Sequence, residues 1–132
     1  DGSRSAGLDI RYPVTSDGES TLRTLQSAAG DYGLKTEVQL DNKPLYMPEG
    51  CGLVKILKDA YRSVTGKDAD LYATGGGTYA REMHGRAVAF GPFFPEEPDR
   101  RLHNSDENID INYYMLHAQV CLEAMYRMFT AE

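Results

Sequence analysis

The spacing of apolar residues changes twice within the first 41 positions, and this change constrains the fold more than any single residue does. Apolar and polar residues alternate over 7–14, apolar residues recur at helical intervals over 22–32, and alternation returns over 34–40. Residues 16–19 fit a capping box that starts the helix, and Gly33 fits its end. A period of two is typical of a strand with one buried face. This part of the sequence therefore predicts strand, helix and strand in that order.

The rest of the chain continues this mixture of predicted helices and strands. Turn residues dominate 41–50, and three prolines within 91–98, the first of them Pro92, exclude regular structure there. Two longer helices are predicted by apolar stripes: Leu53, Ile56, Leu57, Ala60 and Val64 before a stop at Gly66, and Ile111, Met115, Ala118, Leu122, Met125 and Phe129 after a start near Asp110. The shorter predicted elements are strands at 70–73 and 87–90 and a helical turn from Thr78 to Met83. Together these elements predict an α/β (α+β) fold.

Composition excludes two classes of partner. The net charge of −6 and the pI near 5.0 argue against nucleic-acid binding. No apolar run approaches the roughly 20 residues that span a bilayer, so no membrane segment is expected. Cys51 and Cys121 do not form a CxxC motif, which favours reduced thiols and a cytoplasmic protein.

Three consecutive glycines, Gly75, Gly76 and Gly77, follow the strand predicted at 70–73 and precede Thr78. The simpler interpretation is a tight turn that needs positive φ. The alternative is a cradle of backbone N–H groups that holds a carboxylate or an oxyanion. The run matches neither GxGxxG nor a P-loop, which argues against a nucleotide site.

Two side chains offer further chemistry. His103 lies between the proline-rich loop and the last predicted helix, close to Asp106 and Glu107. It is either a solvated loop histidine, with the carboxylates favouring a helix N-terminus, or a metal ligand that the carboxylates orient. Arg11 lies on the polar face of the first predicted strand beside Asp9. It is either part of a surface ion pair or a planar guanidinium that binds a carboxylate through two hydrogen bonds.

Taken in series, four stretches of the chain resemble the C-terminal part of the M20 family of zinc metallopeptidases, and PepV-like dipeptidases most closely. They are Leu8–Val14, Ala73–Arg81, Ala89–Pro92 and His103–Glu107. Their order and spacing match as well, and the resemblance covers nearly the whole chain.

The resemblance implies two parts. Residues 1–43 would end a ferredoxin-like lid domain, and residues 44–132 would form the C-terminal α/β segment of the catalytic domain. It also implies hydrolysis of the peptide bond of dipeptides or small peptides by water activated between two zinc ions, with a glutamate as general base. His103 would then ligate one zinc ion and Arg11 would bind the C-terminal carboxylate of the substrate. The residues implied to contact the same end of the substrate are Gly75, Gly76, Gly77 and Thr78.

The family's other metal ligands and its general base have no counterpart in this sequence, and a zinc site needs three or four protein ligands. We therefore expect a C-terminal fragment that holds no catalytic residue and is inactive alone. Because a divided domain exposes apolar faces, we also expect self-association or a complementing chain. The alternative is a stand-alone α/β binding or dimerisation module whose glycine loop binds an anion.

Overall fold

The computed structural model describes residues 2–91 and 93–131, so Pro92 of the predicted proline-rich loop lies outside the described residues. Within those ranges the chain forms three α-helices: α1 at Gly18–Asp31, α2 at Gly52–Thr65 and α3 at Ile111–Thr130. A short 3₁₀ helix covers Tyr79–Met83. All four lie where the sequence predicted helical structure.

Local capping explains why the three long helices were predictable. Asp17 caps α1, since its Oδ1 accepts a hydrogen bond from the Glu19 N–H at 3.1 Å. Gly66 ends α2 in the left-handed region with φ of 72°, and its N–H donates to the Arg62 carbonyl at 2.8 Å. Asp110 caps α3 by accepting from the Asn112 N–H at 2.8 Å. These signals lie within a few residues of each helix end, so they act without any tertiary contact.

The predicted strands and the α/β (α+β) fold class are wrong. No strand is present in residues 2–91 and 93–131, and the segments 7–14, 34–40, 70–73 and 87–90 have no regular structure. An alternating sequence fits one face of a sheet, but a strand exists only where its N–H and C=O groups pair with a neighbouring strand. None of these segments finds such a neighbour within the described residues. The strand–helix–strand lid piece and the α/β catalytic piece are therefore not observed, and the described fold is helical.

The chain divides into two compact units. The first contains the residues up to Tyr46 together with Thr74–Gly77, and the second contains Met47–Ala73 and the residues from Thr78 onward. In the first unit α1 buries none of its own residues. In the second unit α2 packs against α3 and forms the core.

The core of the second unit combines small residues with aromatic rings. Ala60 on α2 and Ala124 on α3 are buried beside Leu57, and their small side chains let the two helices approach closely. Next to them the Phe94 ring lies between two tyrosines, 6.0 Å from the Tyr61 ring and 5.6 Å from the Tyr113 ring, measured between centroids. The loop that carries Phe94 is thereby fixed on the helix pair.

The buried face of α3 is opposite to the predicted one. Val120 and Ala124 are buried, with Tyr113 and Leu116 partly buried beside them. The predicted stripe, from Ile111 through Leu122 to Phe129, faces solvent. The prediction was wrong because α3 is apolar on two sides, and periodicity alone does not say which side meets α2.

Candidate functional site

Arg11 joins two distant parts of the first unit. Its Nη1 donates a hydrogen bond to the carbonyl oxygen of Gly75, which lies 64 positions later in the chain. Its Nη2 and Nε donate to Asp9 Oδ2 at 2.9 Å and 3.2 Å. The side chains of Arg11 and Asp9 are exposed by 60% and 73%. The guanidinium therefore lies on the glycine run while two of its donors hold a carboxylate at an open surface.

The residue after Arg11 fixes the direction of this segment. The Tyr12 ring packs on the backbone of Gly18 at the start of α1, and a Cβ at Gly18 would lie 2.4 Å from the ring. A side chain at Gly18 would therefore require the Tyr12 ring to move. The contact anchors the backbone next to Arg11 to the N-terminus of α1, so the guanidinium starts from a defined position.

Arg11 and Asp9 each stabilise the charged form of the other. The hydrogen bond and then the charge of Arg11 hold the pKa of the Asp9 carboxyl below its usual range. The same two causes from Asp9 raise the pKa of Arg11 above its ordinary value. Arg11 is thus a permanent cation beside the glycine run, as recognition of a carboxylate requires.

The glycine run does not adopt the turn that its sequence suggests. Gly75, Gly76 and Gly77 are absent from the glycines with positive φ, so the tight-turn interpretation is wrong. A Cβ on Gly75 would lie 4.0 Å from Arg11 Cδ, and one on Gly77 would meet nothing within 4 Å. One N–H is already used, because Gly76 donates to Thr74 Oγ1 at 3.1 Å. Side chains would therefore fit at Gly75 and Gly77, so this stretch of backbone borders open space.

Thr78 belongs to the second unit and has a local role there. Its Oγ1 accepts a hydrogen bond from the Ala80 N–H at 2.9 Å and so caps the 3₁₀ helix. Arg81 lies within this helix, and its Nε is buried without a hydrogen-bond partner among the described residues. Burying a donor without a partner costs free energy, which makes Arg81 a notable polar group of this segment. The sequence analysis did not identify it as a candidate site residue. Its position four residues after Gly77 was the available signal.

The loop around His103 holds an unusual backbone. Arg101, His103 and Asp106 all have left-handed φ values, of 54°, 61° and 58°. Each such residue costs about 1 kcal/mol or more unless the surroundings hold it there. Local bonds do so: the His103 N–H donates to Glu107 Oε2 at 3.2 Å, and the Asn104 N–H donates to the Arg101 carbonyl at 2.9 Å. The His103 side chain itself is exposed.

Glu107 therefore binds the backbone of His103. Arg101 Nη1 lies 3.3 Å from Asp106 Oδ2, so that carboxylate pairs with an arginine. Among residues 2–91 and 93–131, no group of three or more histidine, cysteine, aspartate or glutamate side chains comes together in a way that could hold a metal ion. The described residues thus do not fit a zinc site by themselves.

A part-buried ion pair in the second unit was not predicted from the sequence. Glu97 and Arg100 form two hydrogen bonds, one of them from Nη2 to Oε2 at 2.7 Å, and their side chains are exposed by only 4% and 15%. Arg100 also lies over the Phe93 ring, 5.4 Å from its centroid. Burial and then the nearby charge of Arg100 lower the pKa of His117. The sequence shows only two opposite charges three residues apart, and most such pairs are exposed to solvent.

No helix within the described ranges combines the length and apolar character needed to cross a membrane.

The chain is similar to curated proteins whose names describe dipeptidases. One is "Putative dipeptidase YtjP" of Bacillus subtilis (strain 168), which is 38% identical over 92% of this chain and 25% of its own length. Another is "Putative dipeptidase" of Staphylococcus epidermidis, 33% identical over 92% of this chain and 26% of its own length. A third, "Putative dipeptidase SSP1012" of Staphylococcus saprophyticus, is 30% identical over 96% of this chain. The chain thus spans about a quarter of the length of these relatives. No family model and no solved structure matches it.

Proposed function

We propose that this chain is the carboxylate-binding part of a larger dipeptidase of the M20 metallopeptidase kind, which hydrolyses dipeptides or small peptides in the cytoplasm. The observation that carries the proposal is the hydrogen bond from Arg11 to the Gly75 carbonyl. It brings the arginine and the glycine run, which the sequence marks separately, into one place. The similarity to proteins named as dipeptidases supports the reaction class.

The Asp9 pair supports one specific mode of substrate binding. Nε and Nη2 of Arg11 already converge on one carboxylate oxygen of Asp9. A substrate's C-terminal carboxylate would replace Asp9 on these two donors while Nη1 stays on the Gly75 carbonyl. Because the Asp9 pair is exposed, the exchange costs little free energy. The backbone from Gly75 to Gly77 has no side chains and would lie close to the bound carboxylate.

The described residues do not form a zinc site by themselves. The assignments of His103 as a zinc ligand and of Thr78 as a substrate contact stay predictions from the family resemblance. The exposed His103 side chain on its strained loop is available for such a role. We expect the chain alone to hydrolyse no dipeptide, because the general base of the family has no counterpart in its sequence.

The test uses a hybrid enzyme, defined as the Bacillus subtilis relative in which this chain replaces the matching segment. We expect Arg11→Ala to lower kcat/KM for a dipeptide by about 10- to 150-fold, since hydrogen bonds to a charged group contribute about 1.5–3 kcal/mol. The same dipeptide with an amidated C-terminus should be hydrolysed slowly by both hybrids and at similar rates. The amide lacks the charge that Arg11 binds.

The matched control is Arg23→Ala, which removes an exposed arginine of α1 that pairs with Glu19 in the same unit. Arg23→Ala should leave the rates of hydrolysis of the dipeptide and of its amide unchanged. Equal loss of activity towards the dipeptide and its amide in Arg11→Ala, or no loss towards either, would overturn the assignment of Arg11.

A further inference from the structure

The solvent-facing side of α3 is apolar along its whole length. We name this surface the outer stripe; its members are Ile111, Met115, Leu122, Met125, Tyr126 and Phe129, exposed by 53–87%. They recur at intervals of three, four and seven residues, so they share one side of a helix that is about 30 Å long. The outer stripe is opposite Val120 and Ala124, which face α2.

A helix with two apolar sides is normally the middle layer of a domain. One side of α3 is covered by α2, and burial of the other side would remove a continuous apolar strip from water. Monomeric proteins rarely expose contiguous apolar patches beyond a few hundred Å². The outer stripe is therefore expected to have a partner.

The total surface gives the scale of the partner. The chain exposes 10895 Å², whereas a compact monomer of 14.7 kDa exposes about 6,900 Å². Even two separate compact bodies that share this mass would expose only about 8,400 Å². The excess of roughly 2,500 Å² is spread over the chain, including the exposed segments of the first unit, and it is larger than the roughly 800 Å² that one partner contributes to a standard interface.

We propose that the outer stripe packs against the remainder of the same polypeptide in a dipeptidase of the relatives' length; this rests on the proposed function. The relatives are about four times as long as the segment they share with this chain. Large exposed apolar side chains also occur in the first unit, for example Leu8 at 78% and Leu40 at 78%. Each copy carries a net charge of −6, which disfavours the pairing of two copies.

The experiment mixes this chain with the Bacillus subtilis relative from which the matching segment has been removed, and measures association by calorimetry. Leu122→Asp places a charge in the middle of the outer stripe and should weaken association by about thirtyfold or more. Gln119→Asp is the matched control, because Gln119 is an exposed polar residue at the border of the stripe, so the substitution adds the same charge to α3 without removing an apolar side chain. It carries the same helix-propensity cost and should change association less than about threefold.

A second measurement covers the case in which the shortened relative does not stay folded. In the hybrid enzyme, Leu122→Asp should lower the melting temperature well below that of Gln119→Asp, while the two variants of this chain alone should melt together. Equal effects of both substitutions in the mixture and in the hybrid would overturn the proposal. So would sedimentation of this chain alone as a dimer that Leu122→Asp dissociates, because a second copy would then occupy the stripe. Association without dipeptide hydrolysis would overturn the proposed function and leave the interface intact.

Discussion

Substitutions on opposite sides of α3 test whether the inner or the outer side holds the second unit together. Val120 is fully buried, and Leu122, two residues later, is 69% exposed. Val120→Ala removes two methyl groups from the core, which costs about 1.6 kcal/mol in transfer free energy, and the remaining cavity raises the loss to about 2–2.5 kcal/mol. Leu122→Ala should change the free energy of unfolding by less than about 0.5 kcal/mol, although it removes more atoms.

The measurement is urea unfolding of this chain, followed by far-UV circular dichroism and by tyrosine fluorescence. Small domains have only about 5–15 kcal/mol of stability, so a loss near 2 kcal/mol is easily resolved in the midpoint. Both variants should keep the slope of the wild type. A loss in Leu122→Ala equal to or larger than that in Val120→Ala would refute the orientation of α3 and, with it, the definition of the outer stripe.

Three further predictions concern charged and titratable groups. Burial and the charge of Arg100 lower the pKa of His117 in the folded chain. As the pH falls below about 6.5, this histidine therefore takes up a proton in the unfolded chain before it does so in the folded chain. The free energy of unfolding should then decrease between pH 6.5 and the lowered pKa. His117→Asn should flatten that part of a plot of urea midpoint against pH, and an unchanged slope would contradict it. Glu97→Gln should lower the free energy of unfolding by about 1 kcal/mol, because it removes the charge that pairs with part-buried Arg100, and adding Arg100→Met should restore part of the loss. Asp9→Asn in the hybrid enzyme should lower KM for a dipeptide, by no more than about fivefold, because the exposed Asp9 carboxylate competes only weakly for Arg11; a raised KM would argue against competition for Arg11.

The helices were predictable from sequence because their signals are local. Asp17, Gly66 and Asp110 each satisfy a helix end with their own side chain or backbone conformation. The strands were not predictable in the same way, because alternation over 7–14 or 34–40 describes a surface and not the neighbour that must pair with it. The side of α3 that faces α2 also depends on a tertiary contact.

The candidate site was likewise only partly predictable from the sequence. The residue types of Arg11 and of the glycine run were enough to mark them, since planar donors and bare backbone suit a carboxylate. The left-handed backbone at His103 and the part-buried Glu97–Arg100 pair could not be predicted from the sequence. Both depend on how a loop folds back on itself, which residue type and spacing do not determine.

The most direct test of the central claim is dipeptide hydrolysis by the hybrid enzyme compared with hydrolysis by this chain alone, both supplied with zinc. If this chain is the carboxylate-binding part of a dipeptidase, the hybrid hydrolyses dipeptides at a rate near that of the Bacillus subtilis relative, and the chain alone releases no amino acid above background. A folded, inactive hybrid, or hydrolysis by the chain alone, would contradict the account.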